Sequence, residues 1–325
     1  MIKTPAPVLL TFTLAAMALL LTGCEKVIPL DPAQSDAQLV LNAVPSAGKQ
    51  LSVYFANTRY FLDNSNNQPV PNVSMTIHVN GHDYTVADSI VNCSYYFPYT
   101  LQSDDSLAIT IDANGHPVTA RTYVPRMPQV GNLNAFVDTS GSTGSAMGLG
   151  AFRLLAINFE LADYPNHEDY YCITLEQRDS GTRYYPYFDR YDTVDTSFLT
   201  YFLCLDAKLT SPDVSAISGM GDVFFNRLLF SDKNIEGETH KTGLMLLLLT
   251  DTTEIAPFVH QYTLHVESVT PERKEYLAAV ATATSRMQIF SEPADIYTNV
   301  TGALGIFAGN ARRTYRLTPD TLVAQ

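Results

Sequence analysis

Apolar and polar residues alternate with a period of two along most of this chain, in short runs broken by Gly, Asn, Pro and Asp. That period puts successive side chains on opposite faces of a strand, so it predicts β structure with one face buried. Leu39–Val44 and Leu51–Phe55 are the first runs, joined by the turn Ser46-Ala47-Gly48-Lys49. The clearest pair follows: Val73–Val79 alternates strictly, meets Asn80-Gly81 and returns as Tyr84-Thr85-Val86. Asn-Gly tolerates positive φ at both turn positions and marks a two-residue hairpin. Asn114-Gly115 repeats the signal between Leu107–Ile111 and Val118–Val124. Short strands with turn signals every ~8–12 residues describe an immunoglobulin-like β-sandwich. It is placed at 38–125 and closed by Val124-Pro125-Arg126-Met127-Pro128.

The rest, 126–325, reads as a second β-rich domain, which makes the fold class mainly β. Its strand runs are Phe152–Leu161, Tyr170–Gln177, Phe198–Leu205, Gly243–Thr250 and Val259–Ser268. Leu244–Leu249 is unbroken and apolar, which predicts a strand covered on both faces. One helix is expected at 271–287. Thr270 supplies its cap, Pro271 its first position and Glu272 an acid against its dipole. Leu277, Val280, Ala281, Thr284 and Met287 recur at helical spacing and direct it onto the sheet of the second domain. The small-residue stretch from Ser140 to Gly150 lacks the Gly-Lys-Ser/Thr ending of a phosphate-cradling loop and reads as a flexible loop.

The first residues break the pattern. Val8 to Leu21 is continuously apolar, shorter than the ~20 residues that span a bilayer and suited to the core of an export signal. Leu21-Thr22-Gly23-Cys24 fits the bacterial lipobox, in which signal peptidase cuts before a diacylated cysteine. The expected organisation is a signal peptide at 1–23, a lipidation site at Cys24 and a proline-broken tether at 24–37. Each buried methylene adds ~0.8 kcal/mol of membrane affinity, and two or more chains anchor a protein stably. The expected location is the cell envelope, lipid-anchored to the outer membrane, with the periplasmic and surface faces both open.

Charge and composition narrow the function without naming it. The formal net charge of −13 argues against nucleic acid and against anionic lipid surfaces as partners. There are 19 Tyr, 16 Phe and no Trp, a composition suited to strands. Beyond Cys24 stand Cys93, Cys172 and Cys204; a Cys172–Cys204 bridge and three buried thiols both fit. No H-E-x-x-H, G-x-S-x-G or paired C-x-x-C occurs, so no catalytic residue, metal or cofactor is assigned. His260 and His265, five apart in a strand, face opposite sides and cannot share a metal. Surface or turn positions are the reading for all 7 histidines. Asp followed by Ser or Thr at Asp88, Asp105, Asp192, Asp251 and Asp320 fits turn chemistry, and O-glycosylation of an exported protein is a reading that depends on lineage.

The most contact-like stretch is Tyr184-Tyr185-Pro186-Tyr187-Phe188-Asp189-Arg190-Tyr191. Its aromatics follow no core alternation, and Tyr and Arg are prominent in binding hot spots. Tyr184, Tyr185, Tyr187, Phe188, Arg190 and Tyr191 are the candidate partner contacts. The bland alternative is a long loop whose tyrosines fold back over the second sheet.

At Phe290-Ser291-Glu292-Pro293 and on through Asn299, Gly302, Ala303-Leu304-Gly305-Ile306-Phe307 to Gly309, the chain resembles a known family. These are Bacteroidota lipoproteins catalogued as domain of unknown function four-two-four-nine. Ser268–Tyr276, Cys24-Glu25-Lys26 and Phe230-Ser231-Asp232 are also similar, while Thr301 and Ala303 depart from the pattern. The glycine-rich run itself reads as a turn-rich crossing into a final short strand, with glycines for positive φ or close backbone approach. The resemblance implies an accessory role beside TonB-dependent outer-membrane receptors. The expectation is a non-enzymatic accessory or binding lipoprotein in nutrient uptake, with an adhesin or fimbria-like structural subunit as the alternative.

Overall fold

Alternation becomes strand pairing over almost the whole length of the computed structural model, which describes residues 37–59, 66–86, 90–138, 152–211, 215–220, 224–249, 253–284 and 296–318. The apolar leader, Cys24, nearly all of the tether, the 140–150 loop, residues 285–287 of the expected helix and Phe290–Asp295 lie outside the described residues. From Ala37 onward the chain forms one unit.

The first body contains β1 (Leu39–Ala43), β2 (Gln50–Asn57), β3 (Val73–Val79), β4 (His82–Thr85), β5 (Ile90–Val91), β6 (Ser94–Thr100), β7 (Ser106–Ala113) and β8 (His116–Tyr123). They form two sheets, β1-β2-β6-β5 and β4-β3-β7-β8. Residues at every second position, Leu41, Val53 and Phe55 from one sheet and Ile77, Ile109 and Ile111 from the other, meet in a single core. Burying each contributes roughly 1.5–3 kcal/mol. Asn80 and Asn114 have φ of 50° and 56°. Val79 therefore stands opposite His82, and Ala113 opposite His116, across two-residue turns.

The second body contains β9 (Gln129–Asp138), β10 (Phe152–Ala162), β11 (Tyr170–Tyr185), β12 (Arg190–Thr200), β13 (Phe202–Leu203), the single turn α1 (Ala207–Thr210), β14 (Ser215–Met220), β15 (Phe224–Ser231), β16 (Thr239–Leu249), β17 (Glu254–Val269), the helix α2 (Pro271–Thr284) and, after β18 (Leu304–Phe307) has crossed back to the first body, β19 (Asn310–Leu317). Ten strands make one sheet in the order β19-β17-β11-β15-β13-β16-β10-β9, with β12 added on β11 and β14 on β15. Val137 of edge strand β9 and Leu317 of edge strand β19 join Ile157, Ile173 and Leu264 in the same core. The sheet therefore curls around its own interior.

Three local expectations change. Leu244 and Leu246 face this core, but Met245 and Leu247 are only half-buried, so β16 is not covered equally on both faces. The Phe198–Leu205 run divides between the end of β12 and the short β13. Strand β9, not foreseen, follows the alternation of Leu133, Ala135 and Val137.

Helix α2 starts where Thr270 Oγ1 accepts from Arg273 N at 3.4 Å. As expected, it lies on the second sheet, with Leu277 packed on Cys172, Leu229 and Val269. Cys172 faces the helix while Cys204 lies in the inner core, and all three described thiols are buried and free.

The sandwich is completed from far away in sequence. Strand β18 pairs in parallel with β1, Val40 opposite Leu304 and Ala43 opposite Phe307. Thr301 bridges Thr119 of the other sheet, and Val300 and Phe307 enter the sandwich core. Asn299 closes the intervening loop: its Nδ2 donates to Phe307 O at 2.8 Å and its Oδ1 accepts from Phe307 N at 2.9 Å. A Cβ at Gly305 would run into Leu41 O, and one at Gly309 into Tyr123 O, which is the close approach read from the glycines. The short strand expected last is followed by β19, which returns to the second sheet.

Candidate functional site

Strands β11 and β17 run beyond the core. Their roots, Tyr171–Leu175 and Leu264–Val269, are buried. Their far halves pair on past the core, from Glu176 opposite Thr263 to Arg183 opposite Glu254. Strand β12 adds to the other side of β11, from Leu175 opposite Thr200 to Tyr185 opposite Arg190. The result is a three-stranded arm with little buried apolar surface.

A polar network stiffens the arm where it leaves the core. Asp179 is only 3% exposed. It accepts from Gln177 Nε2 at 2.8 Å and meets His260 Nδ1 at 2.8 Å. His260 Nε2 reaches Glu254 at 3.1 Å, and Arg183 bridges Glu254 at 3.1 Å and Asp179 at 3.4 Å. The register shifts between Ser180 and Thr182, a bulge centred on Gly181. A Cβ there would stand 2.5 Å from the Phe258 ring, so glycine lets the aromatic lie across the strand.

Beyond the bulge come the six candidate contact residues. They belong to a hairpin and not to a loop folded over the sheet: Tyr184 and Tyr185 end β11, Arg190 and Tyr191 begin β12, and Tyr187 and Phe188 lie in the turn. Asp189 has φ of 47°, the left-handed conformation that Asp adopts readily, so the turn needs no glycine. Tyr184 OH donates to Asp189 at 2.8 Å, which raises the phenol's pKa. The Tyr184 and Tyr191 rings stand 4.9 Å apart, and Tyr187 and Phe188 meet edge to face at 5.1 Å. Arg190 pairs with Asp192 at 2.5 Å. Tyr187 is 91% exposed, Phe188 68% and Tyr191 66%. The backbone orders these rings, and no core covers them.

Elsewhere the chemistry is structural in kind. Asp163, Asp169 and Asp232 bring carboxylate oxygens within 4.8 Å of one another. Asp163 accepts from Tyr171 OH at 2.8 Å and from Gly237 N at 2.9 Å. Asp232 accepts from Asp169 N at 2.8 Å. These bonds tie three chain corners together and leave Asp169 Oδ2 buried without a partner. Burial pushes the Asp232 carboxyl up to about 6, and the neighbouring acids add to it. Asp169 is raised by burial as well.

Surface or turn positions do not describe all the histidines. His240 bonds Asp206 at 2.6 Å, and His265, largely buried, reaches Glu176 at 3.1 Å and Thr314 at 3.1 Å. Nearby carboxylates and hydroxyls satisfy them on strands. His260 and His265 do face opposite sides of β17, with separate partners. Asp105 performs turn chemistry, accepting from Gln102 N at 2.7 Å.

Comparison with known proteins adds a family. The profile of a family described as Domain of unknown function (DUF4249) matches residues 25–316. No curated protein matches the chain. Among solved structures, one described under "Structural basis for the promiscuous specificity of the carbohydrate-binding modules from the beta-sandwich super family" aligns at 8% identity. It covers 72% of this chain and 97% of that chain, with a TM-score of 0.18, too low to bear on function.

Proposed function

We propose, on the premise that the chain belongs to the DUF4249 family of domains of unknown function, that this protein is a membrane-anchored, non-enzymatic binding lipoprotein. It is tethered through Cys24 and acts as the accessory of a TonB-dependent outer-membrane receptor. The observation that carries the reading is the arm. A protein that leaves Tyr187, Phe188 and Tyr191 exposed at the end of an ordered hairpin has a contact surface built for another molecule. Burying a side chain of this size contributes roughly 1.5–3 kcal/mol, so two or three rings suffice for a hot spot. The lipid anchor holds body and partner at one membrane, which raises their effective concentration. Co-purification of the tagged protein from detergent-solubilised outer membrane tests it: an integral receptor accompanies the wild type and is lost when Tyr187 and Phe188 become Ser.

One observation favours the alternative of an adhesin or fimbria-like subunit. Among the described residues β12 pairs on one edge only, leaving a long strand edge to accept a donated strand. That reading predicts polymers of this chain; a monomer by light scattering counts against it.

A further inference from the structure

Beneath helix α2, on the outer face of the second sheet, is a cavity of about 120 Å³. Strand alternation sets its lining. Cys172 and Thr174 on β11 point away from the inner core occupied by Tyr171 and Ile173, and Glu267 on β17 stands opposite Cys172. Arg227 from β15, Arg312 from β19 and Arg273 from the first turn of α2 converge on the same space. Three elements thus bring three guanidinium groups together in a chain whose net charge is −13.

The charges inside do not balance. Buried Glu267 pairs with Arg312 at 2.5 Å and accepts from Asn310 Nδ2 at 2.8 Å. Glu176, at the mouth, bonds His265. Arg227 and Arg273 have no ion-pair partner among the described residues, and Arg273 Nε is buried without any hydrogen-bond partner. A buried cation left unpaired costs several kcal/mol in general, so Arg273, whose Nε is buried, persists there where something compensates it. Burial pushes the Arg273 guanidinium below its usual range; Glu267 opposes that, and Arg227 and Arg312 add to it. Water fills ~30 Å³ per molecule, so about four waters would occupy the cavity but bring no charge. A four-oxygen anion occupies comparable space and meets forked N–H donors on several sides.

We propose that this cavity is a binding site for a small tetrahedral oxyanion, phosphate or sulfate, held by Arg227 and Arg273 and completed at the mouth by Arg312. The site stands apart from the aromatic tip and does not depend on the partner assignment.

The test is thermal unfolding of the full-length protein in detergent, titrated with inorganic phosphate, with sulfate, and with sodium chloride at matched ionic strength. At ten times Kd the oxyanion raises Tm by roughly 2–4 °C over chloride. Arg273→Gln and Arg227→Gln each weaken binding at least ten-fold by isothermal calorimetry, and Arg273→Gln is at least as stable as wild type in anion-free buffer. If Arg273→Gln fails to fold, Arg227→Gln and broadening of the free phosphate ³¹P resonance by wild type carry the test. Glycerol phosphate distinguishes sources: a shift matching inorganic phosphate means that the mouth admits the group on a larger molecule, and no shift restricts the site to the free ion. Equal responses to phosphate and chloride, or undiminished phosphate binding in both variants, overturns the proposal.

Discussion

The two halves of strand β11 make opposite uses of the same backbone. In the root, Tyr171, Ile173 and Leu175 point into the curled sheet while Cys172 and Thr174 face helix α2, so both sides are covered. In the arm, Gly181 to Tyr185 are only half-buried, although all of them pair with β12 and Thr182 and Arg183 pair with β17 as well. The ladder to β12 runs on unbroken, but the packing does not. Strand order can therefore be extended past a core wherever neighbouring strands supply the backbone partners, and side chains there become free for recognition.

That contrast can be broken from the root outward. Leu264→Ala removes a fully buried side chain and should cost about 2–5 kcal/mol, seen as a loss of roughly 5–15 °C in Tm. At the junction, Gly181→Val drives a side chain into Phe258. We expect about 1–3 kcal/mol of destabilisation and faster amide exchange confined to 180–185 and 254–260. If exchange quickens across the root as well, arm and root are one cooperative unit.

The acidic corner beneath the root sharpens the comparison through pH. Asp232 titrates at about 6 against an ordinary 3.8, so the folded state binds its proton more tightly than the unfolded chain does. Its contribution is favourable at low pH, falls as pH rises from about 4 to 6, and stays unfavourable above that. Asp232→Asn should stabilise by on the order of 1–2 kcal/mol at pH 7 and leave stability unchanged at pH 4, measured by urea titration at both. The smallest thermal effect belongs to the tip: Tyr187→Ser with Phe188→Ser should move Tm by less than about 1 °C, because both rings are largely exposed.

The sequence carried the sandwich well, because Val73–Val79 alternates and Asn80-Gly81 can only turn one way. It carried the arm badly for a physical reason. With solvent on both faces, Tyr184 to Tyr191 have no inside and outside to record, so period two vanishes and the stretch reads as a loop. The turn at Asp189 hides too, since its left-handed conformation is taken without glycine. The glycine-rich run was legible as close backbone approach, but its destination was not: nothing local joins Leu304 to Val40 in parallel. Likewise Arg227, Arg273 and Arg312 lie on three separate elements, and only the fold gathers them around one cavity.

Whether the arm is a partner contact is reached directly by one measurement. Tagged wild-type protein and the Tyr187→Ser, Phe188→Ser variant, matched in Tm and in membrane anchoring, are each purified from solubilised outer membranes and their companions identified by mass spectrometry. A TonB-dependent receptor is expected with the wild type, depleted at least ten-fold with the variant. A receptor retained equally by both, or no membrane protein recovered with either, would contradict it.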